Sequence, residues 1–173
     1  RTVGPRQVVL CTIHGLTAAP HFHDIDLILR KGEILGVTGL ADSGRNELAL
    51  AIAGVRPAGS GTIVVDGDKA SIRHPADAIR HGIGYVPENR LEEGLFLEKS
   101  ILDNEIALVV ADLANAWGVI DDGKGRAIAA KVAADMRLNT KDIDMPVGSL
   151  SGGNQQRVLI GRWLTIEPKL LLL

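Results

Sequence analysis

Leu150-Ser151-Gly152-Gly153-Asn154-Gln155-Gln156-Arg157 is the stretch on which the fold reading turns. A hydroxyl residue precedes two glycines, and apolar residues follow at Val158, Leu159, Ile160, Trp163 and Leu164. That spacing predicts an amphipathic helix with Ser151 as its N-cap, the hydroxyl serving as acceptor. Glycines at the helix start let backbone N–H groups come close to a ligand, and the helix N-terminus carries partial positive charge. The stretch therefore reads as an anion site. An ordinary Ser-Gly-Gly helix start explains the glycines but rarely carries Gln155, Gln156 and Arg157 before an apolar run.

Upstream lies Gly39-Leu40-Ala41-Asp42-Ser43-Gly44-Arg45-Asn46, which has the glycine spacing of a phosphate-binding P-loop, G-x-x-x-x-G-K-[ST]. It follows Glu33-Ile34-Leu35-Gly36-Val37, expected to be a short apolar strand, and precedes residues 47–53, expected to form a helix ending at Gly54. Two positions depart from the pattern. Arg45 stands where a lysine reaches the phosphates, and its planar fork is larger and differently directed. Asn46 stands where a hydroxyl residue ligates Mg²⁺ and offers only an amide oxygen. Asp42 puts a negative charge in a loop that should cradle anions.

Around these two stretches, strand and helix patterns alternate. Residues 8–13, 24–29, 62–65 and 83–86 have strand character, with turns at 59–61 and at Asp66-Gly67. Pro75 opens a helix that stops at Gly82, Ser100 and Asp103 match a capping box, and residues 125–138 carry a helical period. This order predicts an α/β core with an antiparallel β part and a helical insertion.

The chain has 173 residues, 46% of them hydrophobic, and a net charge of −2 from 19 basic and 21 acidic residues. That suits a single core. The basic residues are dispersed, so no nucleic-acid partner is expected. The single cysteine, Cys11, sits in an apolar stretch and is expected to be buried; a reducing compartment is consistent with it. No apolar run approaches the roughly 20 residues of a membrane span, so a membrane role would run through a bound partner. His14, His74 and His81 show no metal spacing with Cys11. The lead at residues 1–7 reads as a linker and Leu170-Leu171-Leu172-Leu173 as a strand cut in mid-pattern, so the chain is expected to be part of a longer protein.

LSGGNQQR resembles the signature motif of the ATP-binding-cassette (ABC) ATPases, and the order of P-loop, Gly84-Tyr85-Val86-Pro87-Glu88-Asn89-Arg90, signature and terminal apolar strand follows that family along essentially the whole chain. Together with Gly44-Arg45-Asn46-Glu47-Leu48 and Glu93-Gly94-Leu95, these motifs are similar to the second ATPase half of bacterial sugar importers of the ribose, galactose and xylose type, whose two cassettes share one polypeptide.

The resemblance implies a P-loop NTPase fold of the ABC ATPase type with an antiparallel β subdomain and a helical signature subdomain, truncated before the end of the Walker B strand. Residues 1–7 would be the lead and 8–99 the ATP-binding core with a degenerate P-loop. Residues 100–150 would be the helical subdomain, and 151–173 the signature helix and the start of Walker B. ATP and Mg²⁺ are the implied cofactors. Gly39, Leu40, Ala41, Asp42, Ser43, Gly44, Arg45 and Asn46 would face the chain's own nucleotide. Ser151, Gly152, Gly153, Asn154, Gln155 and Gln156 would face ATP held by the partner cassette.

Glu88 falls where the family has the glutamine that senses Mg²⁺ and the attacking water, which makes Asn46 and Glu88 weak Mg²⁺ candidates; a surface carboxylate, solvated or paired with Arg90, is the alternative. A carboxylate about 5 Å from a phosphate charge costs about 3 kcal/mol at an effective dielectric near 20, so Asp42 and Glu88 weaken the site. Phe22 is the one aromatic near the position expected to stack on adenine, and core packing is the favoured reading for it. The Walker B aspartate, catalytic glutamate and switch histidine are expected beyond Leu173, leaving this chain inactive by itself. The implied partners are the first cassette, membrane-spanning permease subunits contacted through residues 85–97 and, indirectly, a periplasmic or extracellular sugar-binding protein. The implied location is peripheral, on the cytoplasmic face of the inner membrane. A nucleotide-binding regulatory module without turnover is the competing reading, and a soluble ABC ATPase of DNA repair or translation is disfavoured by the dispersed charge.

Overall fold

The computed structural model describes residues 8–40, 42–89, 93–140 and 142–173, so the linker-like lead at 1–7 lies outside the described residues. The chain forms two compact units, one of Arg1–Tyr85 with Lys169–Leu172 and one of Val86–Pro168.

The first unit is built on an antiparallel sheet of order β2-β1-β3-β4, from β1 (Val9–Ala18), β2 (Phe22–Arg30), β3 (Ser60–Val65) and β4 (Asp68–Ala70). β1 is central, with Cys11 opposite Leu29 and Val65, and Ile13 opposite Leu27 and Ile63. Alternation along the strands sends Cys11, Ile13, Ile63 and Val65 to one buried face and leaves His14 exposed on the other. The helices α1 (Arg45–Ile52) and α2 (Pro75–Arg80) follow β2 and β4, and a parallel pair joins β5 (Ile83–Tyr85) to β6 (Leu170–Leu172). Leu48, Ala51, Ile52, Ile83 and Leu170 complete the core of this unit.

Gly61 shows how tightly β3 lies on β1. Its φ is +104°, and a Cβ there would meet the Leu16 Cα at 2.5 Å and the Gly15 carbonyl oxygen at 2.7 Å. Both are backbone atoms of the central strand and have little room to retreat. Gly61→Ala is expected to cost about 2 kcal/mol, measured by urea denaturation, from overpacking and backbone strain together.

The strand expected at Glu33-Ile34-Leu35-Gly36-Val37 does not form. Residues 33–40 carry no regular structure, and Ile34 is 98% exposed. An apolar run becomes a strand only when a neighbour accepts its ladder of hydrogen bonds, and no described strand pairs with this segment.

The second unit is helical, with α3 (Ile101–Ile106), α4 (Asp122–Asp135) and α5 (Gly152–Leu164). The capping box opens α3: the Ser100 hydroxyl accepts the Asp103 N–H at 2.9 Å, and the Asp103 carboxylate accepts the Ser100 N–H at 3.4 Å. α4 begins ahead of the expected residue 125, because Asp121 caps it by accepting the Lys124 N–H at 3.0 Å. Ile101, Val147, Val158 and Leu159 form one apolar cluster, and Leu102, Ile106, Leu113 and Ala129 another.

Candidate functional site

The P-loop stretch lies in the first unit, running into α1. Gly44 has φ +79°, a left-handed conformation that suits glycine, and it caps α1 without a side chain. A β-carbon on Gly44 would run into the His21 carbonyl oxygen and lie 3.2 Å from the Phe22 Cβ. The loop therefore requires glycine where it passes over β2. The Ser43 N–H donates to the Leu40 carbonyl at 3.0 Å, closing the turn. Gly39, Leu40, Asp42, Ser43, Arg45 and Asn46 are exposed, and Ala41 lies outside the described residues. Phe22 is 6% exposed and belongs to the core, so it is not presented for stacking on a base.

Glu47 was missed in the sequence reading. It sits half-buried in the first turn of α1 and lines a cavity of about 400 Å³ with His21, Arg56 and Pro57. A carboxylate there occupies the end of the helix field that an anion would use. Its place directly after Asn46, at the helix start, was the available signal. Asp42 and Glu88 are both exposed, so solvent screening brings their repulsion well below the about 3 kcal/mol that an effective dielectric near 20 implies. The loop thus keeps its turn and one cation while carrying carboxylates at Asp42 and Glu47 and an amide at Asn46.

The signature stretch lies in the second unit. Ser151 holds the N-cap position of α5 with extended backbone, and its carbonyl accepts the Gln155 N–H at 2.9 Å. The expected cap through the hydroxyl is not made. The helix is started by its backbone, and the serine side chain stays on the exposed rim. Gly152 and Gly153 are exposed, and a Cβ on Gly153 would meet nothing within 4 Å. The first turn of α5 therefore offers an open surface of backbone N–H groups at the positive end of the helix. Gln155 turns inward, 9% exposed, and its amide donates to the Leu150 carbonyl at 3.1 Å, which ties the approach loop to the helix. Asn154 is half-buried and accepts from Arg157 at 3.3 Å, while Gln156 is exposed. Glu88 is exposed in the second unit, and the pairing proposed with Arg90 falls outside the described residues. The two weak Mg²⁺ candidates, Asn46 and Glu88, are thus on different units.

The sequence model of the family described as ABC transporter matches residues 22–173. The chain belongs to the ABC transporter family. A ribose import ATP-binding protein of Yersinia pestis is 43% identical over 161 residues, covering 93% of this chain and 32% of that protein. A putative ribose/galactose/methyl galactoside import ATP-binding protein of Agrobacterium fabrum is 39% identical, covering 99% of this chain and 34% of that one. The chain spans about a third of the length of these curated relatives. Among solved structures, the ADP conformation of an ABC transporter cassette superposes with a TM-score of 0.77 at 19% identity, covering 95% of this chain and 67% of that one. A dimeric cassette bound to ADP and Pi reaches 0.74 at 19% identity, covering 94% and 72%. The fold is that of a P-loop NTPase of the ABC type, with its antiparallel sheet and helical parts. Among the described residues, no helix of this family member is long and apolar enough to cross a membrane.

Proposed function

We propose that the chain is the second nucleotide-binding cassette of a bacterial ABC importer for a sugar of the ribose, galactose or xylose type, working as half of an ATP-driven clamp. The observation that carries the reading is the open glycine start of α5. Gly152 and Gly153 leave the first-turn N–H groups accessible to an anion approaching from outside the domain. In this reading residues 151–156 close over the nucleotide held by the P-loop of a first cassette in the same polypeptide. Phosphoryl transfer depends on positioning and charge neutralisation, which backbone donors and a helix terminus can supply. The bound nucleotide supplies the phosphoryl group and a water molecule accepts it; this chain's part is to hold the charge on the phosphates in place. Residues 85–97 meet the permease subunits, and a sugar-binding protein delivers the solute to them. The protein sits at the cytoplasmic face of the membrane.

The chain's own loop binds nucleotide weakly in this reading, because Asp42 and Glu47 oppose the anion and Asn46 replaces a hydroxyl. Calorimetric titration of Mg-ATP into the intact polypeptide tests this, with the first cassette's site disabled. The native loop is expected to bind at least about 10-fold more weakly than the variant Asp42→Gly, Arg45→Lys, Asn46→Thr, a difference of roughly 1.4 kcal/mol. Equal affinity in the two proteins would overturn the asymmetry. The same carboxylates favour a second reading, a regulatory module that takes up nucleotide without turnover. Single-turnover hydrolysis at each site separates the two.

A further inference from the structure

The buried side of α5 holds a second arrangement, away from the glycine start. Arg162, 8% exposed, donates its Nε–H to the Asn104 carbonyl at 2.7 Å, one Nη1–H to the Gly94 carbonyl at 2.6 Å and one Nη2–H to the Asn104 Oδ1 at 2.5 Å. The Phe96 ring centroid lies 5.3 Å from its guanidinium carbon. Asn104, fully buried, accepts the Phe96 N–H at 3.0 Å and donates to the carbonyls of Phe96 at 3.0 Å and Ser100 at 2.9 Å. One guanidinium therefore pins both α3 and the loop at residues 94–96 to the helix that carries the signature.

Beside it sits a group with no hydrogen bonds of its own. Glu105 is 0% exposed, and neither carboxylate oxygen has a hydrogen-bond partner. Gly161 makes its space: a Cβ there would lie 2.8 Å from both oxygens and 2.6 Å from the Val132 Cγ1. Burial pushes the Glu105 carboxyl up to about 8, with the Arg162 charge pulling the other way. Arg162 is the charged group that reaches it from α5. α4 presents Ala129 and Val132 to this interior, while its charged residues Asp122, Lys124, Arg126, Lys131 and Asp135 are exposed. Asp103 on α3 and Glu93, Glu98 and Lys99 in the preceding segment are exposed as well.

We propose that Glu105 is a protonation switch for the attachment of the 94–96 loop to α5. As the neutral acid it leaves Arg162 to the Gly94 and Asn104 carbonyls; once ionised, it draws the guanidinium to itself and loosens the loop. Only a proton leaves the carboxyl, taken up by solvent, and no other bond changes. The inference goes beyond the importer reading and does not depend on it. The folded carboxyl titrates above its ordinary 4.5, so between about 4.5 and 8 the folded state holds the extra proton. Stability is greatest at the acid end of that window and falls as pH rises through it.

The test uses the full chain and Glu105→Gln. NMR follows the Glu105 Cδ resonance, and hydrogen exchange, corrected for intrinsic rates, follows the Phe96 amide with the Leu159 amide as a control for global opening. The carboxyl is expected to titrate near 8, and Phe96 protection to fall at least about 5-fold from roughly pH 6.5 to 9 in the native chain, with little change at Leu159. In Glu105→Gln the Phe96 protection should stay flat. A carboxyl titrating in the ordinary range, a pH-independent Phe96 amide, or the same pH response in Glu105→Gln overturns the proposal. The native titration alone can do so even if the variant does not fold.

Discussion

Gly153→Val is expected to reduce nucleotide hydrolysis by the intact, reconstituted transporter by about 100-fold or more while leaving the melting temperature of the cassette nearly unchanged. The two halves of this expectation come from one observation. A Cβ on Gly153 meets nothing within 4 Å, so the domain itself has room for a larger side chain. Valine is no poorer a helix former than the glycine it replaces, so helix propensity adds no structural cost in α5. The surface that the side chain would fill is the one through which, under the proposed function, α5 approaches a phosphate on the facing cassette. Two methyl groups there hold the backbone N–H donors off, and loss of one such donor typically costs about 100- to 1,000-fold in rate. Solute-stimulated hydrolysis, read beside thermal melting, decides it. Unchanged turnover would remove α5 from the clamp.

Arg162→Ala is expected to destabilise the second unit by about 3 kcal/mol or more. The substitution strands the Asn104 and Gly94 carbonyls, which now accept from the guanidinium at 2.7 and 2.6 Å, and removes the cation beside the buried Glu105. Charge-assisted hydrogen bonds contribute about 1.5–3 kcal/mol each, and desolvation of the guanidinium offsets part of the sum. Arg162→Met, which keeps the apolar stem but not the donors, should fall between the two. Urea denaturation followed by the fluorescence of the neighbouring Trp163 gives the difference. A loss below about 1 kcal/mol in Arg162→Ala would mean that water satisfies those carbonyls and that the knot is not structural.

Local features of this protein were readable because their causes are local. The capping box of Ser100 and Asp103 joins residues three apart, and the glycines at 44, 152 and 153 mark helix starts that need only their own backbone. Alternating apolar residues placed β1, β2 and β3, since a half-buried strand writes its burial at period two. Ser151 was assigned to the right position for the wrong bond, because hydroxyl orientation depends on what surrounds the cap. The 33–37 segment failed for a different reason. Its composition is that of a strand, but pairing partners are distant in the chain and none is described beside it.

Glu105 and Arg162 were the larger omission. Each stands four residues after an apolar core position, Ile101 and Val158, which puts both on the buried stripe of its helix. That spacing was a visible signal, but charged residues on short amphipathic helices usually snorkel outward. By itself, then, the sequence determined the family and the glycine turns at Gly44 and at the start of α5, the turns because they rest on contacts a few residues apart. Only the tertiary structure decided that a glutamate and an arginine lie buried side by side at the centre of the helical unit, because burial is settled by what α3, α4 and α5 pack against, and no single helix carries that information.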